Sequence, residues 1–296
     1  MSQRSEAAGN IYDLGYRHYD GVRLGRRQAL LSLYFYSLRG AFGLGRGTGS
    51  KIIPVAIVLL AAAPTFGQLA IAAISPIDAS VIRPENYFDF IQVTLAIFCA
   101  TVAPELFARD QRMRTLPLYF ARGLKRSDYT LAKLAALTTA LLFITFLPQF
   151  VLFIGNGLAG SDLGGYVQDH WLELPQVIAS GVLIAVFFAC ISAAIGSQTP
   201  RRAYSTVAII AVLILTSIVA GVIAATMSGV VVKIVMLLVP FEAATGVTRW
   251  IFNASVQPET NLGQSGLDLW LCFPAVLIIT AIAGYLTFRR FEKVAA

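Results

Sequence analysis

The chain has 296 residues, of which 57% are hydrophobic and only 13% charged. A water-soluble domain carries roughly 25% charged residues, so this composition excludes a soluble globular body and describes a membrane protein. The net charge of +7 arises from 23 Lys and Arg against 16 Asp and Glu, and its placement in loops makes it a topology signal that calls for no nucleic-acid partner.

In chain order, residues 1–22 read as a polar tail. Residues 1–28 lack an apolar core, so no secretory leader is expected there. Residues 23–46 carry Leu24, Leu31, Phe35, Leu38 and Phe42 at spacings of three, four and seven. That is one apolar stripe on a helix, and Arg23, Arg26, Arg27, Arg39 and Arg46 surround it. Such a helix is expected to lie along the membrane surface, pack on the bundle, or do both. The glycine-rich run at 43–51 then invites a phosphate-loop reading and fails it. Ser50 precedes Lys51 where a phosphate loop needs Lys before Ser or Thr, and no strand comes before the run. It reads as a flexible joint.

A helix needs about 20 apolar residues to cross roughly 30 Å of hydrocarbon. Six stretches qualify, at about 52–74, 87–108, 131–155, 174–198, 203–227 and 269–288. The predicted fold is therefore an all-α membrane protein, a single transmembrane domain over 23–296. With the N-terminus inside, 20 of the 23 Lys and Arg fall in cytoplasmic segments, leaving Arg83, Lys233 and Arg249 outside. Trp171, Trp250 and Trp270 all fall at the outer side, where an aromatic belt is expected. In the fourth span Ala185, Ala189, Ala193 and Ser197 repeat every four residues, a ridge that permits close helix approach within one subunit or between two. The segment 228–268 is too apolar for an ordinary loop and too short in each apolar run to cross, so a re-entrant or interfacial pair of short helices is expected there.

Chemistry in the spans is sparse. Cys99, Cys190 and Cys272 lie in apolar runs, and His18 and His170 are far apart, so neither a disulfide framework nor a metal cluster is expected. The ionisable groups in the spans, Asp89 and Glu105, sit near the ends of the second. An ion-coupled carrier or intramembrane enzyme needs such groups near mid-membrane.

The informative segment lies between the second and third spans. A short helix can begin near Pro117, placing Leu116, Tyr119 and Phe120 on one face, with Gly123 ending it and Ser127-Asp128 capping the third span. Aromatics ringed by Arg and Lys there are either a solvated basic loop or a docking knob for a cytosolic partner. The arrangement Arg109-Asp110, Thr115-Leu116, Tyr119-Phe120-Ala121-Arg122, Arg126-Ser127-Asp128-Tyr129 and Lys133 resembles the coupling-helix region of type 2 ABC transporter permeases. In that family an acidic-basic pair, Gly-Thr-Leu, Arg-Pro and a Gly-Lys entering the third span recur. Here Arg114 stands for the first Gly, Gly123 for the Pro and Ala132 for the Gly before Lys133. The stretches 12–17 and 21–26 resemble a bacterial branch of the family.

The resemblance implies the permease subunit of an exporter in a bacterial inner membrane, both termini cytoplasmic. Two such subunits would pair, a homodimer being expected over a heterodimer, surrounded by lipid. Each would rest on a separate ABC ATP-binding subunit that holds ATP and Mg, so this chain would carry no cofactor and would not itself be an enzyme. By position, Thr115, Leu116, Tyr119, Phe120 and Arg122 match the coupling helix, and Arg109 and Asp110 its approach. Lys233, Pro240, Phe241 and Glu242 fall in the external gate region. The cargo would be hydrophobic or amphipathic. The alternative from another class is a non-transporting scaffold that recruits a cytosolic ATPase through the same loop.

Overall fold

The computed structural model describes residues 25–45, 47–74, 83–121, 123–159 and 163–293. The tail at 1–22, the stripe and ring residues Arg23, Leu24 and Arg46, and the coupling residue Arg122 lie outside the described residues. All regular elements within them are helical. Helix α1 spans Arg26–Ala41, α2 Gly49–Ile74, α3 Pro84–Arg112, α4 Leu116–Phe120, α5 Arg126–Ala159, α6 Leu163–His170 and α7 Glu173–Gln198. Helix α8 (Arg202–Ile210) runs through a π turn at Ala211–Leu215 into α9 (Thr216–Thr226). Then come α10 (Val230–Leu238), α11 (Pro240–Ile251), α12 (Asn261–Ser265), a 3-10 turn at Leu269–Leu271 and α13 (Cys272–Lys293).

Among the described residues, six helical stretches are long and apolar enough to cross a membrane: α2, α3, α5, α7, the α8–α9 rod, and α13 with its preceding turn. Their limits fall within five residues of the predicted ones. The differences lie mostly at the basic end, where the helices outrun the apolar sequence. Helix α5, with 34 residues, is about 50 Å long at about 1.5 Å per residue, well beyond the hydrocarbon. It begins at Lys125–Arg126, and Asp128 in its first turn accepts the Lys125 backbone N–H at 3.1 Å. That reach back to the capping position is half of a capping box, so Asp128 closes the helix start from inside it.

Helices α3, α5 and α7 form the centre of the bundle, whereas α2, α8–α9 and α13 lie around it. Aromatic packing holds the centre: Phe88 meets Phe188 at 5.9 Å and Phe241 at 6.4 Å, centroid to centroid. The small-residue ridge of α7 is fully buried within this one chain. There it lets neighbours come close, with Gly196 against the Ala103 backbone of α3. The peripheral helices instead expose large apolar side chains such as Leu59, Ile218 and Ile278, the surface a hydrocarbon solvent accepts.

Helix α1 lies across α5 and α3. Its packed face is Leu33, Ser37 and Ala41, with Leu38 and Phe42 of the sequence stripe packed beside them, while Leu31 and Phe35 of that stripe stay exposed. Two ties fix it. The Arg26 guanidinium grips Asp128 through Nε and an Nη, each at 2.6 Å, and the Tyr34 hydroxyl donates to Thr139 at 2.9 Å. At the C-terminal end of α7, the Ser197 carbonyl accepts from Gln111 at 2.9 Å and from Arg290 at 3.2 Å. Orphan carbonyls at a helix end are thus met by donors, one of them cationic. These contacts gather α4, the ends of α3, α7 and α13, and the start of α5 at one basic end. The exposed Trp171, Trp250 and Trp270 lie at the opposite end.

Candidate functional site

At the basic end, α3 runs past its apolar stretch and delivers Asp110 against α5. The Lys133 ammonium donates to Asp110 Oδ2 at 2.6 Å and to the Leu106 carbonyl at 2.5 Å. The Tyr129 hydroxyl donates to the same carboxylate oxygen at 2.9 Å. Only 5% of the Lys133 side chain is exposed, so the charge survives burial because its partners surround it. Tyr129 is fully buried, and its ring is the hub of the region. Tyr119 and Phe120 of α4 lie 5.7 and 6.0 Å from it, and Phe291 of α13 lies 5.1 Å away. One ring therefore joins the short helix to the third and sixth spans, while its hydroxyl joins it to the second.

Helix α4 is held by what it buries and defined by what it leaves out. Leu116 is buried, Tyr119 and Phe120 are half-buried, and Pro117 and Leu118 are exposed, Leu118 at 66%. Met113 in the preceding turn is exposed too, beside Arg112 and Arg114. The free apolar surface is thus Met113, Pro117 and Leu118, ringed by arginines, and the aromatic pair faces inward. Burial pushes the Tyr119 phenol up to about 12, with the Asp110 carboxylate adding to the shift, which keeps it a neutral packing group. Thr115 donates its hydroxyl to the Asp110 carbonyl at 3.4 Å and makes no side-chain cap to α4. Arg109 pairs with Glu105 at 3.3 Å, and Glu105 also meets Arg202 at 3.5 Å, tying the second span to the fifth. Arg126 lies over the Phe120 ring at 5.6 Å and donates to the Glu292 carbonyl.

The turn into α4 explains one departure from the family pattern. The Thr115 N–H bonds to the Asp110 carbonyl at 3.1 Å and the Arg114 N–H to the Gln111 carbonyl at 3.3 Å. This is a Schellman closure, which needs a left-handed residue at its penultimate position. Arg114 occupies it with φ +54°, where α1 uses Gly43 at φ +67° for the same closure. A side chain in that region costs about 1–2 kcal/mol. Arg114→Gly is therefore expected to raise stability by about 1 kcal/mol, some of the strain relief being offset by the freer unfolded glycine. Unfolding midpoints of the two proteins in detergent check this.

At the opposite end, α10 and α11 meet at a 92° bend. Pro240 starts α11 and is buried, Phe241 packs on Phe188 at 5.6 Å, and Lys233 sits half-buried on α10. The half-buried Glu242 accepts from Asn261 at 2.9 Å and from Ser217 at 3.3 Å, both on Oε1. Asp89 of α3, an isolated carboxylate in the sequence, is bound to Arg249 at 2.8 Å and to the Thr245 hydroxyl at 3.0 Å. Between α3, α11 and the segment around α12 lies a cavity of about 470 Å³ lined by these groups. The sequence carries no signal for this assembly, because Asp89 and Arg249 are 160 residues apart.

Among the described residues no three His, Cys, Asp or Glu come together to hold a metal. The arrangement instead offers a rigidly mounted apolar and basic knob at one end and a polar chamber at the other. A family model described as ABC-2 family transporter protein matches residues 4–295. No curated protein matches the chain.

Proposed function

The chain belongs to the ABC-2 family of transporter proteins, and from that membership we propose that it is the permease half of an ATP-driven exporter whose hydrolysis takes place in a separate chain. The family generally works with an ATP-binding subunit. The observation that carries the reading is the α4 knob. Met113, Pro117 and Leu118 stand free among arginines, while Tyr129 and the Asp110–Lys133 pair fix their base to three spans. An exposed apolar cluster with arginines around it is the usual anchor of a protein interface. Force applied there would reach α5 and α13 through Tyr129 and Phe291 without deforming a loop.

In this reading the basic end faces the cytoplasm of a bacterial cell, following the excess of Lys and Arg. Two copies pair and present their peripheral helices to each other and to lipid. ATP and Mg belong to the partner, and this chain contributes no cofactor. The bend between α10 and α11 forms the outer gate, with Pro240 and Phe241 anchoring it on the bundle. The cargo is amphipathic. Inverted membrane vesicles containing the chain and its ATP-binding subunit are expected to accumulate a fluorescent amphipathic dye when ATP is added. ATP hydrolysis without accumulation, or loss of preloaded dye from such vesicles, would contradict export.

A further inference from the structure

The chamber at the outer end carries an unbalanced charge. Both oxygens of Asp89 are engaged, one by Arg249 at 2.8 Å and one by Thr245 at 3.0 Å. Arg249, 4% exposed, holds Asp89 through one Nη and the Ser255 carbonyl at 2.9 Å through the other, while its buried Nε has no partner among the described residues. That pair cancels. Glu242 faces only neutral donors, Asn261 and Ser217, and both bind its Oε1. Among the described residues its Oε2 has no partner, and the one cation lining the cavity is Arg249, whose charge is matched by Asp89. Gln92 of α3 also lines the cavity, and its amide makes no hydrogen bond among the described residues. Phe90 and Leu262 supply apolar wall.

A half-buried carboxylate gains from a counter-charge or full hydrogen bonding, and one oxygen of Glu242 has neither within the described protein, being left to solvent. At about 470 Å³ the space lies within the range that holds small organic ligands, about 300–1,000 Å³. It is far too large for a bare ion, and one free carboxylate beside neutral groups does not build a divalent-metal site, which needs six or more oxygens. We propose that this chamber binds a small organic ammonium compound, with the charged nitrogen on Glu242, a hydrogen bond to the Gln92 carbonyl oxygen, and the apolar body against Phe90 and Leu262. That the bound compound is cargo rests on the exporter reading; that it binds does not.

The test is calorimetric titration of the full-length chain in lipid nanodiscs with phenylpropylammonium, and separately with phenylpropanol, a neutral compound of the same shape. The ammonium is expected to bind about tenfold or more tightly than the alcohol, as a charge-assisted contact requires. E242Q keeps an oxygen for Asn261 and Ser217 and is expected to erase that preference. Q92L is expected to weaken the ammonium several-fold while leaving the protein as stable as before. Equal binding of the two compounds, an unchanged preference in E242Q, or no binding of the ammonium would each overturn the proposal. Binding to the isolated chain together with no effect on hydrolysis by the assembled complex would keep the site and count against the exporter reading, so the two fail separately.

Discussion

Replacing Lys133 by Met is expected to cost about 3–5 kcal/mol, because it strands the Asp110 carboxylate in a site that water reaches only in small part. The pair has a length of 2.6 Å, with the Lys133 and Asp110 side chains 5% and 13% exposed. The Tyr129 hydroxyl at 2.9 Å remains as the one side-chain donor to Asp110, which is too little for a buried charge. The measurement is denaturant or thermal unfolding in a fixed detergent. A double variant, Lys133→Met with Asp110→Asn, is expected to regain most of the loss, since removing both charges removes the uncompensated one. If the single and double variants were equally unstable, the cost would lie in the lost contact between the Lys133 ammonium and the Tyr129 ring and not in a stranded Asp110 charge. Because Tyr129 carries α4, the single variant is also expected to loosen the knob from the bundle and lower transport beyond its effect on protein amount.

Leu118→Asp is expected to weaken association with the ATP-binding subunit by about 30-fold or more, the size of an anchor loss at an interface. The side chain is 66% exposed, so the substitution leaves the fold intact and its effect reads docking alone. Affinity of the purified permease for the partner subunit, with wild-type melting behaviour as control, is the appropriate measurement. Tyr119→Asp and Phe120→Asp, the changes that the sequence brings to mind first, mix two effects. Both rings pack on Tyr129, and a carboxylate there would break the mount as well as the surface.

That contrast shows where sequence reasoning stops. The six spans were legible because bilayer thickness demands long uncharged runs, and the basic residues flank them. The break at Pro240 was legible too, since ten apolar residues cannot cross. Which face of α4 looks outward was not, because five residues make little more than one turn and hold no periodicity to read. Half of the α1 stripe was legible, since Leu38 and Phe42 pack on the core, whereas Leu31 and Phe35 stay exposed because the Arg26–Asp128 tether and the small Ser37 and Ala41 set which face meets the bundle, and hydropathy reports neither. The π turn at Ala211–Leu215 sits in an unbroken apolar run and leaves no trace in composition. Ion pairs were the largest loss. Asp110 with Lys133, Asp128 with Arg26 and Asp89 with Arg249 each join helices that only the fold brings together. The departure at Arg114 was visible as a residue type, and its meaning came from a backbone angle.

Seating of the ATP-binding subunit on Met113, Pro117 and Leu118 is the contact on which the proposed function turns. Its most direct test is cysteine protection, and the chain is suited to it because Cys99, Cys190 and Cys272 are all buried. Leu118→Cys in open membrane sheets, where both faces are accessible, is labelled with a polar maleimide, with and without the partner subunit, and Trp270→Cys at the other end serves as control. The partner is expected to slow labelling at position 118 by about tenfold or more, the mark of a contact buried at an interface core, and to leave position 270 unchanged. Equal labelling at position 118 in both preparations, with the two proteins demonstrably assembled, would place the docking surface elsewhere.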